Sequence, residues 1–448
     1  VLTNYALLFH GKLGVGHSLT IFLDARAIII LLGLFSFVFP YTYHGCAMAP
    51  NSDHAWVVTS DTTLVLHTWD GGVSWEQQQI LTTRPFSDVF FLDSLSGWVI
   101  TECAAVIWHT TNGGRSWYWQ NIGGLKRTNR IFFLDTLLGL ATGWGPLFLR
   151  TSDGGVYWAQ MYIAWLPYDT VDFYGVSFVD SLNGWMCAGQ YPKEWGGDTI
   201  FKKGQGFIVH SEDGGDSWVL QKRDTIYDFF DIKFKDSLEG WVVGGNDSTM
   251  EGCVFHTTDG GLNWNLQTLP PEAKILNSLE LIGEDKLWAV GKSGTIIHSN
   301  DGNTWQMQVS GVDTTLYDVD FADSLRGLIA GDGVVLYTRD GGNTWNEANI
   351  VGITNNIPSQ SNRIGIIAYP NPFSKKITIQ FLSDVIPNRL KIYDVTGKLV
   401  NTIHLKSLSP NRCLVFSVFD QKGKEIKPGV YFIKLESQNH KLRLVKAK

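Results

Sequence analysis

Cysteine is scarce. The 448-residue chain has five, at Cys46, Cys103, Cys187, Cys253 and Cys413, and none falls in a CxxC pair or a Cys/His cluster of metal-ligand spacing. They read as isolated thiols, which sets aside a zinc site and a disulfide framework. Long apolar runs are also few. The one near the N-terminus, Ala27 to Phe39 after Arg26, is thirteen residues, short of the about 20 a membrane-spanning helix needs. Its length and basic flank suit the h-region (27–39) of a signal peptide. Cleavage after Ala47-Met48-Ala49 makes residues 1–49 the expected leader and leaves no transmembrane helix in the mature protein. Anchoring as a lipoprotein through Cys46 is the weaker reading, because no Leu precedes "YHGC".

Basic residues are thin over most of the chain. Residues 1–361 hold 20 Lys/Arg against 38 Asp/Glu, a balance of -18, whereas residues 362–448 hold 16 against 5, or +11. Opposite balances suggest two domains with different partners, and the acidic body argues against nucleic acid. With 44% hydrophobic and 18% charged residues, the composition is that of a core-forming protein and not of a disordered one.

What is abundant is tryptophan, 18 residues, and much of it is periodic. "HTTDGGLNW" (256–264) recurs as "HTWDGGVSW", "HTTNGGRSW", "RTSDGGVYW", "HSEDGGDSW", "HSNDGNTW" and "YTRDGGNTW". The last Trp of each copy falls at Trp75, Trp117, Trp158, Trp218, Trp264, Trp305 and Trp345, spaced 42, 41, 60, 46, 41 and 40 residues apart. That period fits a four-stranded propeller blade and not a helical repeat. A second phrase lies between the markers, as in "VFFLDSLSGWVI" and "IKFKDSLEGWVVGG". Its alternation reads as a first strand, its DSLxG as a turn and its GW segment as a second strand; "VFHT" makes a third and the residues after the last Trp a fourth. The Asp of the quoted phrase (Asp70, Asp153, Asp213, Asp259, Asp301, Asp340, replaced by Asn112 in the second copy) is then a hairpin clasp and its Trp a packing residue.

The (S/T)xDGGxxW phrase resembles the Asp-box, or BNR, repeat of sialidase-like and photosystem-assembly-factor-like propellers, over about residues 51–349. The expected fold is all-β: a seven-bladed β-propeller over 50–355, with box residues structural as in that family. No "VxFxD" strand precedes the first blade's "DHAWVVT" downstream of the leader. About residues 348–355 are therefore expected to pair into blade one and close the ring.

After a polar linker (356–366), residues 367–448 hold short alternating strands at roughly ten-residue spacing, the pattern of a small immunoglobulin-like β-sandwich. "YPNPF", "YDVTGKLV", "GVYFIKL" and the terminal "KLRLVKAK" resemble the type A C-terminal sorting domain of the type IX secretion system of Bacteroidetes. The resemblance implies the type IX translocon as a partner and secretion, or display at the outer-membrane cell surface, as the address.

Asp boxes also decorate glycoside hydrolases, so a sialidase-like enzyme is the alternative function. Such chemistry needs an arginine cluster, or two carboxylates across the glycosidic bond. Arginine is scarce here: Arg115 and Arg339 lie inside boxes, and "TRPF" (83–86) is a poor stand-in for the family's Phe-Arg-Ile-Pro. The acids Asp93, Asp135, Asp180, Asp236 and Asp323 recur once per unit and cap turns instead of clustering around a metal. No catalytic residue, metal or cofactor is assigned, and a binding propeller with an unknown protein or glycan ligand is expected. Repetition fails in the fourth unit, which carries "AWLPYDTVDFYG" and "QYPKEWGGDTIFKKGQG". Aromatic-rich insertions on a rigid ring make Tyr168, Tyr174, Tyr191, Lys193 and Trp195 the candidate ligand contacts.

Overall fold

The periodicity becomes seven consecutive four-stranded antiparallel sheets in the computed structural model. It describes residues 41–350 apart from 81, 83, 103–105, 121–126, 144, 164, 167–171 and 190–205, together with 9–13, 17–21, 366–369, 377–381, 389–404, 413–416, 424, 426–435 and 441–446. Within residues 1–40, a separate unit, Phe9–Leu13 pairs with His17–Ile21 as a hairpin. Towards the C-terminus, Ile366–Tyr369, Ile377–Phe381 and Cys413–Phe416 form a three-stranded sheet. A four-stranded sheet runs in the order Leu399–His404, Arg389–Asp394, Gly429–Leu435, Lys441–Lys446. The expected linker lies outside the described residues.

The inner strands of blades one to seven are Tyr43–Met48, Phe86–Phe91, Thr128–Phe133, Asp172–Phe178, Asp228–Phe234, Leu276–Ile282 and Leu316–Phe321. Blades pack through a repeated aromatic stack. Trp98 lies flat on His109 of its own sheet at 4.5 Å and on Phe133 of the next at 3.6 Å. The edge of the box residue Trp158 then meets Phe133 at 5.7 Å. Trp185, His210, Phe234 and Trp264 repeat the arrangement at 4.4, 3.6 and 5.7 Å. Trp56, Trp98, Trp185, Trp241 and Trp288 are fully buried, so the GW tryptophans (Trp98, Trp185 and Trp241) and their counterparts Trp56 and Trp288 form core.

The box joins the third and fourth strands of each blade. In "HTTDGGLNW", Thr257 Oγ1 donates to Asp259 Oδ1 at 2.9 Å and accepts from the Gly261 N–H at 2.9 Å. Asp259 in turn accepts from the Asn263 N–H at 2.8 Å. Gly260 and Gly261 take φ of +72° and +89°, which a Cβ disfavours. The same Ser/Thr-to-Asp bond occurs at Asp70, Asp153, Asp213, Asp301 and Asp340, and at Asn112 the amide oxygen accepts it.

Each box is also tied to the preceding blade. Gln78 donates to Gly113 O at 2.7 Å, Gln120 to Gly154 O at 3.0 Å, Gln221 to Gly260 O at 2.7 Å and Gln267 to Gly302 O at 3.0 Å, while Gln308 accepts from Trp345 Nε1 at 3.1 Å. Blades three and seven have Met161 and Ala348 at that position. There Arg150 donates to Gly214 O at 2.6 Å, and Arg339 to Asp70 O. All seven seams therefore carry a side-chain clasp.

One expectation about the ring's ends differs from the structure, and the other is reached only in part. Blade one supplies its own inner strand, Tyr43–Met48, paired with Ala55–Thr59. A propeller beginning at residue 50, after cleavage at Ala49, would lack it. Cys46 is buried in that strand at 3% exposure. Residues 348–350 do not cross to blade one by pairing: the Ala348 N–H bonds Val335 O on blade seven at 2.8 Å. The rest of the expected closing segment lies outside the described residues.

Candidate functional site at the channel mouth

Every inner strand breaks register near its start. The slips fall at Tyr43/Gly45, Phe86/Asp88, Thr128/Arg130, Phe173/Gly175, Phe229/Asp231, Leu276/Ser278 and Leu316/Asp318. Each bulge adds a residue and re-aims the chain. The result is two stacked rings of side chains on the propeller's axis.

The deeper ring comprises Gly45, Asp88, Arg130, Gly175, Asp231, Ser278 and Asp318. Arg130 reaches across it, with Nη1 2.7 Å from Asp318 Oδ1 and Nη2 3.0 Å from Asp231 Oδ2 and 3.2 Å from Ser278 Oγ. Asp88 Oδ1 lies 3.6 Å from Nη1. A residue on blade three therefore contacts blades two, five, six and seven, a reach possible only across the axis.

The carboxylates also stitch neighbouring blades. Asp88 accepts the Ile131 N–H at 2.8 Å, Asp231 the Leu279 N–H at 3.0 Å and Asp318 the Cys46 N–H at 2.9 Å. At Gly175 a Cβ would lie 2.8 Å from Asp231 Cα, so that position has no room for a side chain. Burial pushes the Asp88 acid up to about 7 despite the opposing charge of Arg130. Arg130 is held well above its ordinary value by Asp318, Asp231 and Asp88, against the burial that lowers it.

The outer ring consists of the bulge residues His44, Ser87, Asn129, Tyr174, Phe230, Asn277 and Tyr317. His44 stacks on Tyr317 with ring centroids 5.1 Å apart, and its Nδ1 lies 2.8 Å from Ser87 O. Tyr174 meets Phe230 edge-on at 5.3 Å. Asn129 donates to Phe173 O at 2.9 Å and Asn277 to Leu316 O at 2.8 Å. Each contact joins one blade to the next. His44, Tyr174, Phe230 and Tyr317 are partly exposed, while Asp88, Asp231 and Asp318 beneath are 2–4% exposed.

Of the candidates chosen by failed repetition, Tyr174 is described and the others, Tyr168, Tyr191, Lys193 and Trp195, lie outside the described residues. Tyr174 is not in an insertion. It sits in the inner strand Asp172–Phe178, at the bulge. The insertion's flanks converge on the same end of the blade, because Asp172 pairs with Gly189 and the third strand starts at Gly206. Among the described residues, no group of three or more His, Cys, Asp or Glu could hold a metal ion, and no helix is long and apolar enough to cross a membrane. Sequence reasoning missed Arg130 and its three aspartates, whose signal was one ring position varying between blades.

Comparison with known proteins agrees with this architecture. Residues 42–123 and 213–310 match the family model of the photosynthesis system II assembly factor Ycf48, and residues 367–446 that of the secretion system C-terminal sorting domain. The Photosystem II assembly lipoprotein Ycf48 of Synechococcus sp. (strain CC9902) is 31% identical over 137 residues, which span 29% of this chain and 39% of that protein. Among solved structures, Ycf48 from Cyanidioschyzon merolae superimposes with a TM-score of 0.52 at 20% identity, covering 69% of this chain and 98% of that one. Ycf48 bound to D1 peptide gives 0.51 at 20% identity, over 68% and 95%. Virginiamycin B lyase from Staphylococcus aureus reaches 0.53 at 11% identity, over 67% and 94%. These likenesses establish the fold and do not choose between binder and enzyme. The chain joins a Ycf48-like Asp-box propeller to a type IX secretion C-terminal sorting domain, which directs it to the cell surface or the exterior.

Proposed function

We propose that the propeller is a surface-displayed binding module whose ligand docks on the face where the bulged ends of the inner strands open. The observation that supports this reading is the division between the two rings. Beneath, the carboxylates are buried and engaged by Arg130 and backbone N–H groups, which leaves no free acid–base pair for a glycosidic bond. Above, four partly exposed rings (His44, Tyr174, Phe230 and Tyr317) are fixed by contacts between adjacent blades. Rigid aromatic side chains supply contact area at low entropic cost.

The test is direct binding of the purified full chain to arrays of glycans and of extracellular peptides. Tyr174→Ala and Tyr317→Ala are expected to weaken the ligand found by tenfold or more while the variants still melt cooperatively. Retention of full affinity by both variants would place the ligand elsewhere and end this reading.

A further inference from the structure

The chemistry around the mouth constrains the ligand class, given the docking face proposed above. The deeper ring sets three carboxylates, Asp88, Asp231 and Asp318, against the single guanidinium of Arg130. Arg130 answers one negative charge, and burial answers a second by holding the Asp88 acid up to about 7. A negative excess remains below the rim. Arg130 itself keeps a side-chain exposure of 20%, so the ring is not sealed from solvent.

A second observation is independent of charge. Ser87, the rim residue of blade two, is 5% exposed, and its Oγ has no hydrogen-bond partner among the described residues. A buried hydroxyl left unpaired is unfavourable, and an incoming N–H donor would relieve it. The neighbouring rim position holds the His44–Tyr317 stack, and aromatic faces attract cations within about 6 Å. At longer range the first 361 residues carry 38 acids against 20 bases, a field that steers positive partners inward.

We infer that the mouth receives the ammonium group of a lysine side chain, presented by a basic segment of a partner protein, between the Tyr317 and Tyr174 sides of the rim and next to Ser87. The carboxylates supply the charge, the rings supply cation–π contact and Ser87 supplies an acceptor. An anionic or neutral ligand would use the rings alone.

The experiment measures binding of the full chain to a ten-residue oligolysine, to the same peptide with every ε-amine acetylated, to oligoglutamate and to chitohexaose. Oligolysine is expected to bind and the other three not to. Tyr317→Ala and Tyr174→Ala should weaken oligolysine at least tenfold and Ser87→Ala several-fold, with circular dichroism melts confirming folded variants. Equal binding of oligolysine to wild type and all three variants would mean diffuse attraction to an acidic surface and would overturn the inference. Rim-dependent binding of chitohexaose or acetylated peptide without oligolysine binding would overturn the ammonium assignment while leaving the docking face standing. Absence of rim-dependent binding to a ligand from the wider arrays would overturn the docking face as well.

Discussion

Asp318, on the last blade, accepts the backbone N–H of Cys46 on the first at 2.9 Å, and two residues on Asp320 accepts that of Met48 at 2.7 Å. The last blade is joined to the first here by a pair of carboxylates that accept from the first blade's inner strand. Both acceptors lie beside the axis, where a lost partner leaves a buried N–H unpaired. Asp320→Ala is therefore expected to cost about 1–3 kcal/mol, read as a lower denaturation midpoint with an unchanged slope.

The same relationship separates two places at which the leader could end. A chain starting at residue 41 keeps Tyr43–Met48 and should melt cooperatively. A chain starting at residue 50 loses the strand that carries Cys46 and Met48 and exposes an unpaired edge on Ala55–Thr59. It is expected to show a broad, low-temperature transition. Matching melts for the two would show that the inner strand of blade one is dispensable.

Arg130 holds the other blades together electrostatically. Arg130→Ala leaves Asp88, Asp231 and Asp318 facing one another at 2–4% exposure with no cation between them. Removing one member of a buried ion network typically costs about 3–5 kcal/mol. Chemical denaturation measures it, and a loss below about 1 kcal/mol would mean that water takes over the arginine's role.

The parts of this architecture that the sequence revealed are those that repeat in one dimension. Seven boxes in phase announced seven blades, and the GW tryptophans announced the core. A third repeat was equally visible: WxxQ, at Trp75–Gln78, Trp117–Gln120, Trp218–Gln221, Trp264–Gln267 and Trp305–Gln308. It encodes the seams. Blade one's inner strand escaped notice because Met48 and Pro50 replace the Phe and Asp of the motif, so that an export signal explained the segment equally well. The axial cluster was hidden for a different reason. Its members differ in type and lie far apart in sequence, with 188 residues between Arg130 and Asp318, and only ring geometry converts seven scattered positions into one site.

Gly97, before the core tryptophan Trp98, and Gly145 offer a contrast between two kinds of constraint. A Cβ at Gly97 would lie 2.4 Å from the Phe91 ring. That ring cannot retreat, since it is stacked 3.4 Å from Trp56 and meets Trp117 edge-on. Gly145 instead needs only its φ of +71°, with nothing within 4 Å of a Cβ. Gly97→Ala is expected to cost about 3 kcal/mol or more through overpacking, against about 1–2 kcal/mol for Gly145→Ala through backbone strain. Equal losses in thermal melts would contradict the role of the stack.

Two buried groups should give the fold opposed responses to pH. Burial raises the Asp88 acid to about 7, whereas in the unfolded chain it ionises near 4. Asp88 is therefore neutral in the folded state over a range where the unfolded chain has released its proton. Its contribution to stability is full below about pH 4 and is lost as pH rises to 7. Burial lowers His109, stacked on Trp98, to about 4, against about 6.5 unfolded. Its contribution is full above about pH 6.5 and is lost as pH falls towards 4. Melting temperatures from pH 4 to 8 separate the two. Asp88→Asn should tilt the profile so that stability rises more with pH between 4.5 and 7, and His109→Phe should tilt it the opposite way over the same interval. Parallel profiles for wild type and both variants would mean that neither group changes its proton affinity on folding.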